Sequence, residues 1–286
     1  MPIVFVLIWS TGFVAAKLGM PNSPPFTFLF FRYVFSIALF MPWIIAARVP
    51  WPSDRKQFLH ISVTGILMHA GYLGGVWAAV KAGMGSGLAA LIVGLQPVLT
   101  AIWLSYKGGR IQTKQWLGLV IGFIGLILVL WNKLQLTLEI SAQTLPFIVA
   151  ALFSITSGTL YQKSFVKPCD VRTANTVQLL AAALVTLPIA WMETESFLVN
   201  THSVIAMSWS VVVLTIGGSS LLYLLIQRGA AQSVTSLMYM VPPTTAIMAW
   251  LLFDEVITLV TILGVATTAW GVHLAIKVDV VDTKEV

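Results

Sequence analysis

Apolar positions in this chain neither alternate with polar ones nor form narrow stripes; they run on for about a membrane's width and then stop. A bilayer core needs roughly 20 apolar helical residues to cross it. Read on that scale, the sequence predicts ten spans: 2–19, 25–47, 58–80, 85–105, 115–132, 144–163, 174–192, 204–226, 231–252 and 257–277. Helix is the expected element, because lipid offers no partner to a backbone N–H or C=O. The connections are short and leave no room for a soluble domain. The expected fold class is an all-α polytopic membrane protein with ten transmembrane helices.

Two spans interrupt their own pattern. GLQPVLTAI (94–102) carries Pro97, and MVPPTTAIM (240–248) carries Pro242 and Pro243. Proline lacks a backbone donor and clashes with the preceding turn, at about 3 kcal/mol in a helix interior. Such a residue is tolerated at membrane depth where protein or a wet cavity satisfies the freed carbonyl. The expectation is a pair of helix kinks beside a substrate site; ordinary kinks are the plainer alternative.

The two proline segments also coincide when the chain is slid over itself by 146 residues. STGFVAAK (10–17) then lies over TSGTLYQK (156–163), and Pro97 over Pro243. Five glycine pairs align: Gly12/Gly158, Gly71/Gly217, Gly83/Gly229, Gly118/Gly264 and Gly125/Gly271. Matched glycines carry weight because they constrain backbone approach. Within a single domain, 1–286, this gives repeat one at about 1–136 and repeat two at about 147–282. Five spans per repeat is an odd number, so the second copy is expected to enter the membrane upside down. Such inverted repeats suit alternating access, whereas a duplication kept only as scaffold is the alternative.

Composition agrees with lipid as solvent. Hydrophobic residues make up 58% and charged residues 9%, with mean hydropathy +0.92; soluble domains are roughly a quarter charged. The net charge of +6 reports topology rather than nucleic acid. With the N-terminus in the cytoplasm, that side's loops carry 12 of the 16 basic residues; the other side has Lys17, Lys81 and Lys133, and Arg32 lies inside a span. That is the positive-inside bias, with both termini cytoplasmic. The first span has no basic region before it and reads as a retained helix. Cys169 is the only cysteine, which excludes an internal disulfide and a multi-thiolate metal site.

IWSTGFVAAKLG, LFFRY, ALIVGLQPVLTAI and SLMYMVPPTTAIMAWLLFDE together resemble the drug/metabolite transporter superfamily, and within it the ten-helix EamA-type branch of bacterial inner membranes. The resemblance implies two inverted five-helix repeats around a cavity lined mainly by helices one, three, four, six, eight and nine. It also implies export or exchange of small metabolites, often amino acids, and an arginine at the position of Arg32. The acidic end of helix nine is Asp254-Glu255 here, while the matching place in repeat one reads Gly108-Gly109.

Side chains three or four apart share a helix face, and polar faces in lipid should turn inward. Span three offers Gly65, His69, Tyr72 and Val76; span four, Gln96 and Thr100; span six, Ser154, Ser157 and Tyr161; span eight, Ser220, Tyr223 and Gln227; span nine, Ser236, Tyr239 and Pro243. Thr11 of span one joins them, and Trp77 offers a ring to stack on a ligand. For each Ser or Thr, a back-bond to its own helix is the competing role. Most other tryptophans, among them Trp43, Trp51, Trp116 and Trp131, fall near span ends and read as an interfacial belt.

Arg32 sits about two turns into span two. It can receive a substrate carboxylate, or it can snorkel to the interface or tie helices together. All ten acidic residues lie outside or at the margins of the spans, so no buried carboxylate waits for a lipophilic cation or a coupling proton. The expected substrate is therefore neutral, zwitterionic or anionic, and His69 is the remaining mid-membrane group that titrates near neutrality. His273 reads as a packing residue.

His60, His69, His202 and His273 are scattered, and neither HExxH, GxSxG nor a nucleotide-binding loop occurs, which argues against an enzyme, a cofactor, a metal site or direct ATP drive. The function expected is a secondary carrier of small metabolites across the cytoplasmic membrane, exporting by alternating access; a facilitated exchanger or a multidrug efflux carrier of the same fold are alternatives. Its expected partners are the bilayer and a small-molecule substrate, without nucleic acid; a homodimer is left open.

Overall fold

The computed structural model describes residues 2–52, 54–108, 111–134, 141–229, 234, 236–253 and 258–276. The helices are α1 (Pro2–Gly19), α2 (Pro25–Ala46), α3 (Arg55–Gly65), α4 (Gly74–Lys81), α5 (Ser86–Val93), α6 (Gln96–Tyr106), α7 (Thr113–Leu134), α8 (Thr144–Phe165), α9 (Val171–Met192), α10 (Thr201–Trp209), α11 (Ser220–Arg228), α12 (Val241–Phe253) and α13 (Leu259–Ile276). π-Helical segments, Ile66–Leu73 and Ser210–Ser219, join α3 to α4 and α10 to α11. The protein is an all-α, multi-pass membrane protein. Seven helical runs among the described residues, one of them broken by the turn at Gly94–Leu95, have membrane length and apolarity, from Pro2–Asn22 to Thr201–Arg228. The other expected spans, 115–132, 231–252 and 257–277, correspond to shorter apolar stretches at Thr113–Leu128, Leu237–Leu252 and Leu259–Ala275.

Local chemistry sets the boundaries. α2 begins with Pro25, whose missing N–H costs nothing in a first turn, after an extended Pro24. α9 begins behind Asp170, whose side chain accepts from the Arg172 N–H, an N-cap. The bounds of α2 and α9 stand 146 residues apart at both ends. Each has one internal proline, Pro42 and Pro188, at the same offset.

The proline spans are not kinked helices. α5 ends at Val93, Gly94 and Leu95 make a turn, and α6 starts with Pro97 in its first turn. In span nine a 3-10 turn, Leu237–Met240, precedes α12, which opens with Val241, Pro242 and Pro243. The prolines therefore begin new helices, where a backbone donor would be an orphan anyway. Asp254-Glu255 lies outside the described residues, as do the side chains of Trp131 and Lys133.

α7 and α13 meet through glycine. A Cβ on Gly118 would strike the Gly271 carbonyl at 2.7 Å, one on Gly125 the Gly264 carbonyl at 2.8 Å, and one on Gly271 the Gly122 Cα at 2.6 Å. Backbones approach this closely where small residues leave room for them.

Each end of the bundle is tied across the two halves. At one end the 193–200 connection acts as a strap: the Leu198 N–H donates to the Asn22 carbonyl at 3.0 Å, Glu195 pairs with Lys81 at 2.5 Å, and Phe197 packs on Phe28 and Phe31. At the opposite end Gln57 bonds the backbone of Lys167 twice, through Nε2 at 2.8 Å and Oε1 at 3.1 Å.

Candidate functional site

Between α1, α2, α4 and the two π-helices lies a cleft. Its walls are aromatic: Trp9 and Phe13 from α1, Tyr72 from the first π-helix and Trp77 from α4, with Gly12, Val76, Leu214 and Ser219 between them. Trp9 and Tyr72 lie parallel, 3° apart with centroids at 6.1 Å, and Trp77 stacks on Phe28 at 4.6 Å. The free space is about 30 Å³. That suits a water or two rather than a metabolite, so loading must widen the cleft.

Arg32 is the only charge on these walls. The residue is 3% exposed, so it does not snorkel. Its Nε donates to Thr215 Oγ1 at 2.9 Å, which ties α2 to the second π-helix. Its Nη1 is buried without a partner among the described residues. The Thr215 hydroxyl in turn donates to the Ser210 carbonyl five residues back, a carbonyl that π-winding leaves within reach. The described carboxylates, Asp54, Asp170, Glu193 and Glu195, all lie in connections or at helix ends. A buried cation with no counter-ion is costly and strongly favours an arriving anion.

A second polar group lies nearer the opposite end. His69 Nε2 meets Gln178 Oε1 at 3.3 Å, Asn175 donates to Ser220 Oγ at 2.9 Å, and Gln162 donates to the Tyr223 carbonyl at 3.4 Å. Three polar atoms there have no partner among the described residues: Gln178 Nε2, Asn175 Oδ1 and Gln162 Oε1.

Of the residues singled out in the sequence, Arg32, Tyr72 and Trp77 meet in the cleft. Thr11 sits beside it but is spent: it donates to the Ile8 carbonyl and accepts from the Trp209 indole at 2.8 Å. His69 is covered and held by Gln178, outside the cleft's lining. Gln96 bonds Thr159 at 3.0 Å, and Thr100 and Tyr239 are buried, their hydroxyls without a partner among the described residues. Tyr161 bonds His60 Nδ1 at 2.7 Å, and Tyr223 meets Cys169 at 3.0 Å. Ser220 belongs to the second group.

Ser157 corrects the sequence reading: it is exposed on the same outward face as Phe153, and the inward polar face of α8 is Thr156, Thr159 and Gln162. Span six has hydroxyls on both sides, so spacing alone did not choose between them. Asn175 and Gln178 were missed because no polar stripe was sought on span seven, and Gln162 because span six was read on the face of Ser154, Ser157 and Tyr161. The signal was present, since Gln178 stands 146 residues after Arg32. No three His, Cys, Asp or Glu side chains come together among the described residues.

The EamA-like transporter family profile matches residues 1–131 and again 143–276. An uncharacterized transporter of Archaeoglobus fulgidus is 23% identical over 276 residues, covering 94% of this chain and 93% of its own length. A probable amino-acid metabolite efflux pump of Escherichia coli K12 is 22% identical over 283 residues, covering 95% and 92%. Among solved structures, one crystal structure superposes with a TM-score of 0.76 at 17% identity, over 96% of this chain and 94% of that one, a likeness of fold.

Proposed function

The chain belongs to the EamA-like transporter family, a membrane transporter rather than an enzyme, and from that premise we propose that it is a secondary carrier exporting small carboxylate-bearing metabolites, amino acids first among them, from the cytoplasm. The observation that carries this reading is Arg32: a buried guanidinium set among aromatic rings, with an N–H that meets no partner and no carboxylate among the described residues. A carboxylate arriving there gains a charge-assisted hydrogen bond, and the rings of Trp9, Tyr72 and Trp77 receive its apolar or ammonium-bearing part. The relative named as an amino-acid metabolite efflux pump supports that cargo.

In this reading the repeats are inverted, both termini are cytoplasmic, and the membrane is the bacterial inner membrane. The 193–200 strap then lies outside and the Gln57–Lys167 tie inside. Alternating access releases one tie while keeping the other.

Counterflow in proteoliposomes tests the proposal. A panel of L-amino acids, their decarboxylated amines and their deaminated acids is offered against each preloaded amino acid. Saturable exchange of amino acids and acids, without exchange of the amines, is expected. Equal exchange of amines, or no exchange by any member, overturns it.

A further inference from the structure

Arg32 and Gln178 are 146 residues apart, and so are their partners, Thr215 and His69. The two hydrogen bonds, one donated by Arg32 Nε to Thr215 and one accepted by Gln178 Oε1 from His69 Nε2, therefore fall at matching positions of the two halves. Each runs from the second helix of one repeat to the π-helix of the other. The copies differ in charge and in surroundings. Around Arg32 there is open space. Around Gln178 the helices are closed, yet Gln178 Nε2, Asn175 Oδ1 and Gln162 Oε1 are left unpartnered, on residues at most 2% exposed.

An unmade buried hydrogen bond is costly, so three such atoms on helices bonded to one another point to a partner that belongs there in another state. Asn175 and Gln162 both bond to α11. Asn175 and Gln178 share a face of α9, Ser220 and Tyr223 share a face of α11, and the bonds from Asn175 to Ser220 and from Gln162 to the Tyr223 carbonyl join the helices. One donor and two acceptors, all neutral, match the two ends of a zwitterion.

We propose that this carboxamide group is a second substrate site, in which Gln178 Nε2 donates to the carboxylate of an amino acid while Asn175 Oδ1 and Gln162 Oε1 accept from its ammonium, in the state open to the cytoplasm. The inference rests on the carrier reading above. It adds that the two faces bind differently: Arg32 selects any carboxylate, whereas the carboxamide site requires both charged ends together.

Thiol protection tests it without knowing the natural cargo. Ser220→Cys in a Cys169→Ser protein places the only thiol at the site, and Gly12→Cys in the same background places one in the Arg32 cleft. An impermeant methanethiosulfonate should reach the first from the cytoplasmic side. L-leucine and L-phenylalanine should slow that reaction about tenfold at ten times their Kd, by mass action. Isoamylamine, phenethylamine, isocaproate and hydrocinnamate should not slow it. Adding Gln178→Leu should leave the thiol reactive and raise the protecting concentration about 10-fold or more, the loss of one buried hydrogen bond.

A thiol that no reagent reaches from either side, or one protected equally well by the amines or acids, overturns the proposal. If only the Gly12→Cys thiol is protected, the carrier reading stands and the second site falls. If neither is protected and counterflow is absent, the carrier reading itself has failed.

Discussion

Glu193 closes one carboxylate oxygen over Thr27 and the other over Phe26. Its Oε2 accepts from the Thr27 N–H and from the Thr27 hydroxyl, each at 2.7 Å, while Oε1 takes the Phe26 N–H at 2.9 Å. α2 has no side-chain cap of its own, so a residue 166 positions away supplies one. The cap satisfies orphan donors and places a negative charge at the positive end of the helix.

Glu193→Ala should cost about 1–2 kcal/mol, the usual worth of a cap, and should speed amide exchange at Phe26 and Thr27. Glu195→Ala should change far less, at about 0–1 kcal/mol, because its side chain is 59% exposed and such pairs are screened by water. Thermal midpoints in detergent, with hydrogen exchange on the two amides, separate the cases.

Arg32→Gln should lower kcat/KM for amino-acid exchange about 10- to 100-fold, the worth of one charge-assisted hydrogen bond. Arg32→Lys should recover part of that loss only, since an ammonium lacks the planar fork that serves Thr215 and a ligand together. Initial rates of counterflow over a range of concentrations decide it.

At the glycine seam, Gly271→Ala should destabilise by about 1–3 kcal/mol or more, as overpacking does, because its methyl meets backbone rather than a movable side chain. Gly217→Ala should be nearly neutral; its methyl would meet only the tip of Ile8 at 3.6 Å. Melting curves of the two variants make the comparison.

Asp170 predicts a dependence on acid. Hydrogen bonds from the Arg172 side chain, at 2.9 and 2.8 Å, hold its carboxyl below the ordinary carboxylate range. A depressed folded-state value means that the contribution is fully present above the unfolded value of about 3.9 and is lost as pH falls through the folded one. Asp170→Asn should therefore flatten the acid side of the stability profile and leave the neutral side with only the loss of the pair. Melting temperatures measured from neutral pH downward show it.

Much of the fold was legible because lipid makes a simple demand. Runs of apolar residues long enough to cross gave α1, α2, α8 and α9 nearly to the residue. The cleft was harder. The face Gly65, His69, Tyr72 and Val76 assumed 3.6 residues per turn, but Ile66–Leu73 is π-helical. The wider winding carries Tyr72 into the cleft and His69 toward Gln178. No composition or spacing announces a π-helix. Its second copy at Ser210–Ser219 marks it as a feature held in both halves. The proline spans misled in a different way: a mid-membrane proline suits a bend and a fresh start equally well, and the turn at Gly94–Leu95 decides for the start.

The seam of Gly118, Gly125 and Gly271 also limits how this sequence can vary. Two neighbouring segments ordinarily drift apart, each accepting changes the other never sees. Here a methyl gained by either one collides with the main chain of the other, so these two segments are compelled to keep in step. A chimera that replaces one half with that of a distant cousin should fail first along this line, however well the remainder matches.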